Sequence, residues 1–299
     1  MDAALTINRR PGKFWQFLQF PVTRIVLAAA ALIAVTAMIQ SGAKALHIAP
    51  QSPVGLAVAL LIMLATVATY CVYVRTLERR PVAEFGLPRA APEFATGFLL
   101  GMLLFGITML VMWGLGIASF TMAGGWSALG YPLLGALVAG VVEETLVRGV
   151  LFRIIEESLG SWLALIISAV VFGALHAFNP GATLVSGIAI ALEAGVLLAA
   201  VFMYTRRLWM AIGLHAAWNF TEGGIFGASV SGGSARGMLA SHFQGAQWLT
   251  GGKFGPEASL VAVLVCLAAG IGFVFLAYRK GYIVRPAWRR AEQLAGNHA

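Results

Sequence analysis

Two adjacent glutamates and an arginine, Glu143, Glu144 and Arg148, lie inside an apolar stretch from about Tyr131 to Phe152. An acid or an arginine at the centre of a membrane-spanning helix costs about 2.5 to 3.5 kcal/mol on insertion scales, so three of them on one helix point to function. Two further polar pairs follow, Phe172 with His176 and His215 with Asn219. Side chains at i and i+4 share a helix face. Glu144 therefore lies under Arg148 and can form an ion pair that lowers the cost of burying both. Glu143 projects about 100° away. Its own i+3 and i+4 positions hold Leu146 and Val147, so its carboxylate has no local partner and stays available.

Polar groups in a bilayer must face protein or water, which gathers Glu143, Glu144, Arg148, His176, His215 and Asn219 around one shared cavity. A lone intramembrane histidine is usually a packing residue, but three such pairs on three helices are harder to dismiss. The set has the parts for hydrolysis. A carboxylate can deprotonate a water, a histidine can position that water, and a His with an Asn can donate to a developing oxyanion. The pattern implies no Ser or Cys nucleophile.

The elements that position these groups follow from composition. The 299 residues are 60% hydrophobic and 11% charged, with a mean hydropathy of +0.86, whereas soluble domains carry roughly a quarter charged residues. An all-α polytopic membrane bundle is expected. The amino-terminal Arg9, Arg10 and Lys13 precede an apolar stretch too long for a signal h-region, so the first helix is expected to stay as an anchor. Cys71 and Cys266 sit in apolar runs and read as packing residues. The net charge of +8 comes from basic residues clustered beside apolar runs, as topology signals do, which argues against nucleic acid as a partner.

Apolar runs of about 20 residues fall at 22–40, 54–74, 95–119, 131–153, 161–177, 183–204, 208–226 and 258–278, predicting about eight transmembrane helices. Placing Lys and Arg on alternate sides puts three, Lys44, Arg236 and Lys253, on one side and the remainder of the 20 on the other, with Arg148 and Arg153 counted at the end of the fourth run. Both termini are then cytoplasmic, in a multi-pass protein of the cell (inner) membrane. The connection from Glu78 to Glu93, with Pro81, Pro88 and Pro92, reads as a cytoplasmic linker along the interface. The Gly- and Ser-rich segment 227–256 reads as a flexible external loop, with a short interfacial helix over 238–249. Pro256 and Glu257 read as the start of the last helix. At 1.5 Å per residue, Glu143 and His215 lie at similar depths, whereas His176 is several ångströms too deep.

These motifs resemble those of the CAAX protease and bacteriocin-processing family of intramembrane endopeptidases, which includes the type II CAAX prenyl endopeptidase. The chain shows Glu143-Glu144-x-x-x-Arg148, Phe172-x-x-x-His176 and His215-x-x-x-Asn219 in the family's order, within a region from about Phe94 to Phe220. The resemblance implies Glu143 as the water-activating base with His176, His215 and Asn219 as oxyanion stabilisers, and Glu144 and Arg148 as their support. Its implied substrate is a membrane protein or a lipidated peptide in the bilayer. A zinc ion held by Glu143, His176 and His215 is the alternative to a metal-free site. The metal-free site is preferred, because the chain lacks the close-set His-Glu-x-x-His pattern and offers Asn219 where a third strong ligand would help.

Residues 1–93 then form an amino-terminal unit, 94–226 the catalytic core, and 227–299 a loop, a last helix and a basic tail. Glu193, among apolar residues, reads either as the partner of a donor on the seventh helix or as a wall of the cavity. Glu156 and Glu157 read as solvated, and His47, His242 and His298 as loop or tail residues without chemistry. Two readings compete with the endopeptidase. One is a non-catalytic binding, immunity or regulatory protein on the same scaffold. The other is a proton-coupled transporter, which lacks support from inverted repeats.

Overall fold

A backbone in hydrocarbon must satisfy its own hydrogen bonds, so long apolar runs fold as helices. The computed structural model describes residues 12–290 and is all-α apart from one small sheet. A short α1 (Lys13–Leu18) leads into α2 (Pro21–Ala45), α3 (Pro53–Tyr73), α4 (Ala90–Gly114) and α5 (Gly130–Glu144). Then come α6 (Arg153–His176), α7 (Leu184–Ile190), α8 (Val196–Thr205), α9 (Trp209–Asn219), a single turn α10 (Gln247–Thr250) and α11 (Leu260–Arg279). Among the described residues, six helical stretches are long and apolar enough to cross a membrane. One of them, Trp126–His176, carries both the fourth and the fifth expected runs and bends at Gly160, whose φ of 80° breaks the helix. The seventh run is α9 with the turns after it, which is not among the six.

Close packing of α9 on its neighbours fixes the core. Gly97 and Gly101, four residues apart on α4, meet the α9 backbone so tightly that a Cβ would stand 2.1 Å from the Met210 carbonyl oxygen and 2.4 Å from that of Leu214. Small residues at this spacing let membrane helices touch backbone to backbone. Four stretches widen from the α-helical pattern to i→i+5 bonding: Val74–Glu78, Thr145–Phe152, Ala191–Gly195 and Phe220–Ile225. Such turns are rare and concentrate at functional sites.

Several expectations are corrected. The third run ends as helix at Gly114 and continues as strand β1 (Ala118–Met122). The stretch 238–249 forms not a helix but strand β2 (Leu239–Phe243) followed by α10, and β1 pairs antiparallel with β2 from Ala118↔Phe243 to Met122↔Leu239. Segment 227–256 is thereby tied down rather than loose; Ser229 Oγ donates to the Phe254 carbonyl and Ser241 Oγ to that of Phe226. Ser259, not Pro256 or Glu257, caps α11 by accepting from Ala262 N, and Glu257 turns inward. His47 lies in an exposed loop and His242 on β2. Arg9, Arg10 and His298 lie outside the described residues.

The arginine-rich end is an ion network rather than a solvated fringe. Glu78 Oε1 accepts from Arg24 Nη2 and Arg153 Nη2, both at 2.7 Å, and its Oε2 from Arg80 Nε at 2.7 Å. Glu84 and Phe85 of the supposed linker are buried. Glu156 is buried against Ser161 and Arg206, and Glu157 pairs with Arg24 and Arg153, so neither is simply solvated. Arg148 is fully buried with Glu144 and is not a topology signal at all. Removing one member of a buried charge cluster costs about 3 to 5 kcal/mol. Glu78→Ala is therefore expected to lower the melting midpoint in detergent well beyond Glu157→Ala, whose side chain is 43% exposed; equal losses would show that burial does not set the value.

Candidate active site

α5 ends at Glu144, and the wide turns after it carry Arg148 onto the same face. Arg148 Nη1 donates to Glu144 Oε1 at 2.8 Å, with both side chains fully buried, as the i,i+4 spacing requires. The same oxygen accepts from His215 Nδ1 of α9 at 2.9 Å. Arg148 Nη2 donates to the carbonyls of Ala194 and Gly195 at 3.2 and 3.1 Å, in the widened turn after α7. Phe172 of α6 lies between the groups. Its ring centroid is 4.5 Å from the Arg148 guanidinium carbon, 4.6 Å from the His176 ring and 6.0 Å from the His215 ring, which it meets edge-on.

Glu143 faces the other way. Its Oε2 stands 3.9 Å from His176 Nε2 and 4.0 Å from His215 Nε2, and its side chain is 36% exposed. His176 reaches this level because the helix continues past the expected end at 153: Gly160, the bend, falls about midway between Glu143 and His176 in sequence. The expected excess depth of His176 came from ending that helix too early. Both rings are pinned through Nδ1. His176 Nδ1 is 2.9 Å from the Phe172 carbonyl oxygen, which can only accept, so this nitrogen carries a hydrogen and the neutral ring presents an Nε2 lone pair. His215 Nδ1 likewise donates to the Glu144 carboxylate.

A small cavity of about 20 Å³, enough for a water, is lined by His176, His215, Asn219, Glu193 and Glu257. The half-buried Asn219 also borders a cleft of about 560 Å³. Glu193 is thus a wall of the cavity, and its hydrogen-bond donor is the Cys266 thiol of α11 at 3.5 Å rather than a group on the seventh helix. Two buried acids escaped the sequence reading. Glu222 is fully buried and shares a side-chain hydrogen bond with Glu257, which also accepts from Ser231 N at 2.6 Å. Burial raises the Glu257 carboxyl above the usual range, opposed by the His176 imidazole and the Ser231 amide. Glu222 lay in plain view as an acid inside the seventh apolar run; the signal that exposed Glu143 applied to it equally.

Ligands sharing a zinc ion at about 2.0 to 2.2 Å stand roughly 3.3 Å from one another. The Glu143–imidazole separations of 3.9 and 4.0 Å exceed that. Among the described residues no group of three His, Cys, Asp or Glu side chains is placed to hold a metal ion. The Glu143 carboxylate would have to move inward toward both imidazoles for these three residues to share a zinc ion.

Residues 125–221 match the family model for type II CAAX prenyl endopeptidase, Rce1-like. No curated protein and no solved structure matches the chain. The matched stretch holds all three motifs but neither Glu222 nor Glu257. The two adjacent glutamates should separate in stability. Glu144→Ala strands Arg148 in the core and should cost about 3 to 5 kcal/mol. Glu143→Ala, at a partly exposed position, should stay within about 0.5 kcal/mol. Unfolding of each variant in detergent measures the difference, and comparable costs would refute the division of roles.

Proposed function

We propose that this chain, whose residues 125–221 match the family model for type II CAAX prenyl endopeptidase, Rce1-like, is an intramembrane endopeptidase that hydrolyses a peptide bond of a membrane-associated substrate with a water activated by Glu143. The observation that carries this reading is the placement of Glu143 Oε2 at 3.9 and 4.0 Å from two imidazole Nε2 atoms. That gap is too long for a direct hydrogen bond, but one water about 2.8 Å from each atom spans it.

The hydrogen bonds at the far side of each ring support the following division of roles. One O–H of the water points to Glu143 and the other to the Nε2 lone pair of His176, which leaves an oxygen lone pair for the carbonyl carbon. As the C–O bond forms, Glu143 takes the proton. The carbonyl oxygen becomes an oxyanion facing His215 and Asn219. His215 donates to it from Nε2 only as the imidazolium, because its Nδ1–H is committed to Glu144. Glu144 favours that charge while also neutralising Arg148. Glu143 then returns its proton to the departing amine as the C–N bond breaks.

Loss of a general base removes about 10² to 10⁴ in rate. Glu143→Ala and His176→Ala should therefore abolish cleavage of the native precursor, found by comparing membrane proteomes of wild type and Glu143→Ala. Asn219→Ala should lower turnover by about 10² to 10³. Unchanged cleavage in a folded Glu143→Ala protein sinks the mechanism. Metal analysis of the purified active protein provides a second check, since a stoichiometric metal whose chelation stops cleavage would overturn the metal-free reading.

A further inference from the structure

The two ends of the bundle differ in charge, and two clefts border the site, one of about 220 Å³ lined by Glu143, His176 and Asn179 and one of about 560 Å³ beside Asn219. At the first end the network of Glu78 with Arg24, Arg80 and Arg153 is joined by Arg206 bound to Glu156, Arg207 bound to Glu93, and Arg290 Nη2 on the Glu157 carbonyl. Lys44, Arg236 and Lys253 are the described basic residues of the opposite end. With Arg148 removed from the count as a buried partner of Glu144, the asymmetry still assigns the arginine-rich end to the cytoplasm.

Packed core separates the site from that end. Phe152, Ile154, Phe202 and Leu208 are at most 2% exposed and lie in one cluster. The site lies toward the other end. His176 is the last residue of α6, and Asn219 the last of α9, which starts beside Arg207. The cleft of about 560 Å³ that borders Asn219 is walled by Pro132 and Ala139 and reaches Gln51, Ser234 and Arg236, all at the end remote from the arginine network.

We propose that the scissile segment reaches the site from the external face through this cleft, so that the substrate is a polypeptide exposed at the outer side of the membrane. The inference rests on the endopeptidase reading for what passes through the cleft, but not for the side to which the cleft opens. A cytoplasmic chain end would have to cross the packed core or the bilayer to reach Asn219.

Single cysteines placed in full-length Cys71→Ala protein test this with a membrane-impermeant maleimide; the buried Cys266 is retained. Ser234→Cys should label in intact cells, and Arg289→Cys only after permeabilisation. The reverse pattern, or equal labelling of both in intact cells, overturns the proposal. Labelled Ser234→Cys protein should also lose most of the precursor cleavage shown by the same variant unlabelled, and undiminished cleavage overturns this route. Absence of cleavage in the wild type would sink the endopeptidase reading instead and leave the labelling result standing.

Discussion

One carboxylate oxygen, Glu144 Oε1, accepts from both the Arg148 guanidinium and the His215 imidazole at full burial. A buried polar group that loses its partner carries the full desolvation cost, so the bond set has few alternatives. Because Arg148 also binds the Ala194 and Gly195 carbonyls, the same centre ties α5, the turn after α7, and α9 to each other. The aromatic face of Phe172 adds α6 to the set. The buried pair thereby orients His215 and leaves the neighbouring Glu143 free of structural duty.

Backbone geometry makes that arrangement possible. The α5–α9 contact at Gly140, where a Cβ would stand 3.0 Å from the Ile212 carbonyl oxygen, brings α9 close enough for His215 to meet Glu144. Three of the four widened turns border the site: one carries Arg148, one carries Glu193, and one follows Asn219. A widened turn shifts the register of the side chains beyond it and frees carbonyls, two of which, from Ala194 and Gly195, serve Arg148.

The part of this site set by spacing along a single helix was legible in the sequence. Glu144 with Arg148 and Phe172 with His176 follow from 3.6 residues per turn, and each is found as expected. What depends on tertiary placement was not. Glu257 was read as a helix-start residue, yet the chain before Ser259 folds inward and buries it. The Leu239–Phe243 strand escaped because its pairing partner lies more than a hundred residues away, beyond a helix that had been extended over it. Glu156 looked solvated because Arg206, which binds it, follows α8, and the pairing of Glu157 with Arg24 of α2 was hidden in the same way, although Arg153 lies one turn before it on α6.

The β1–β2 pairing bears on how the cavity is covered. Segment 227–257 covers the cavity through Ser231 and Glu257, and the strand pair fastens it to the chain that leaves α4. Lifting that cover as a hinged lid would tear a ladder of backbone hydrogen bonds at the membrane surface, a cost that no group at the site offsets. The strand pair therefore makes the cover a fixed wall of the cavity rather than a moving part.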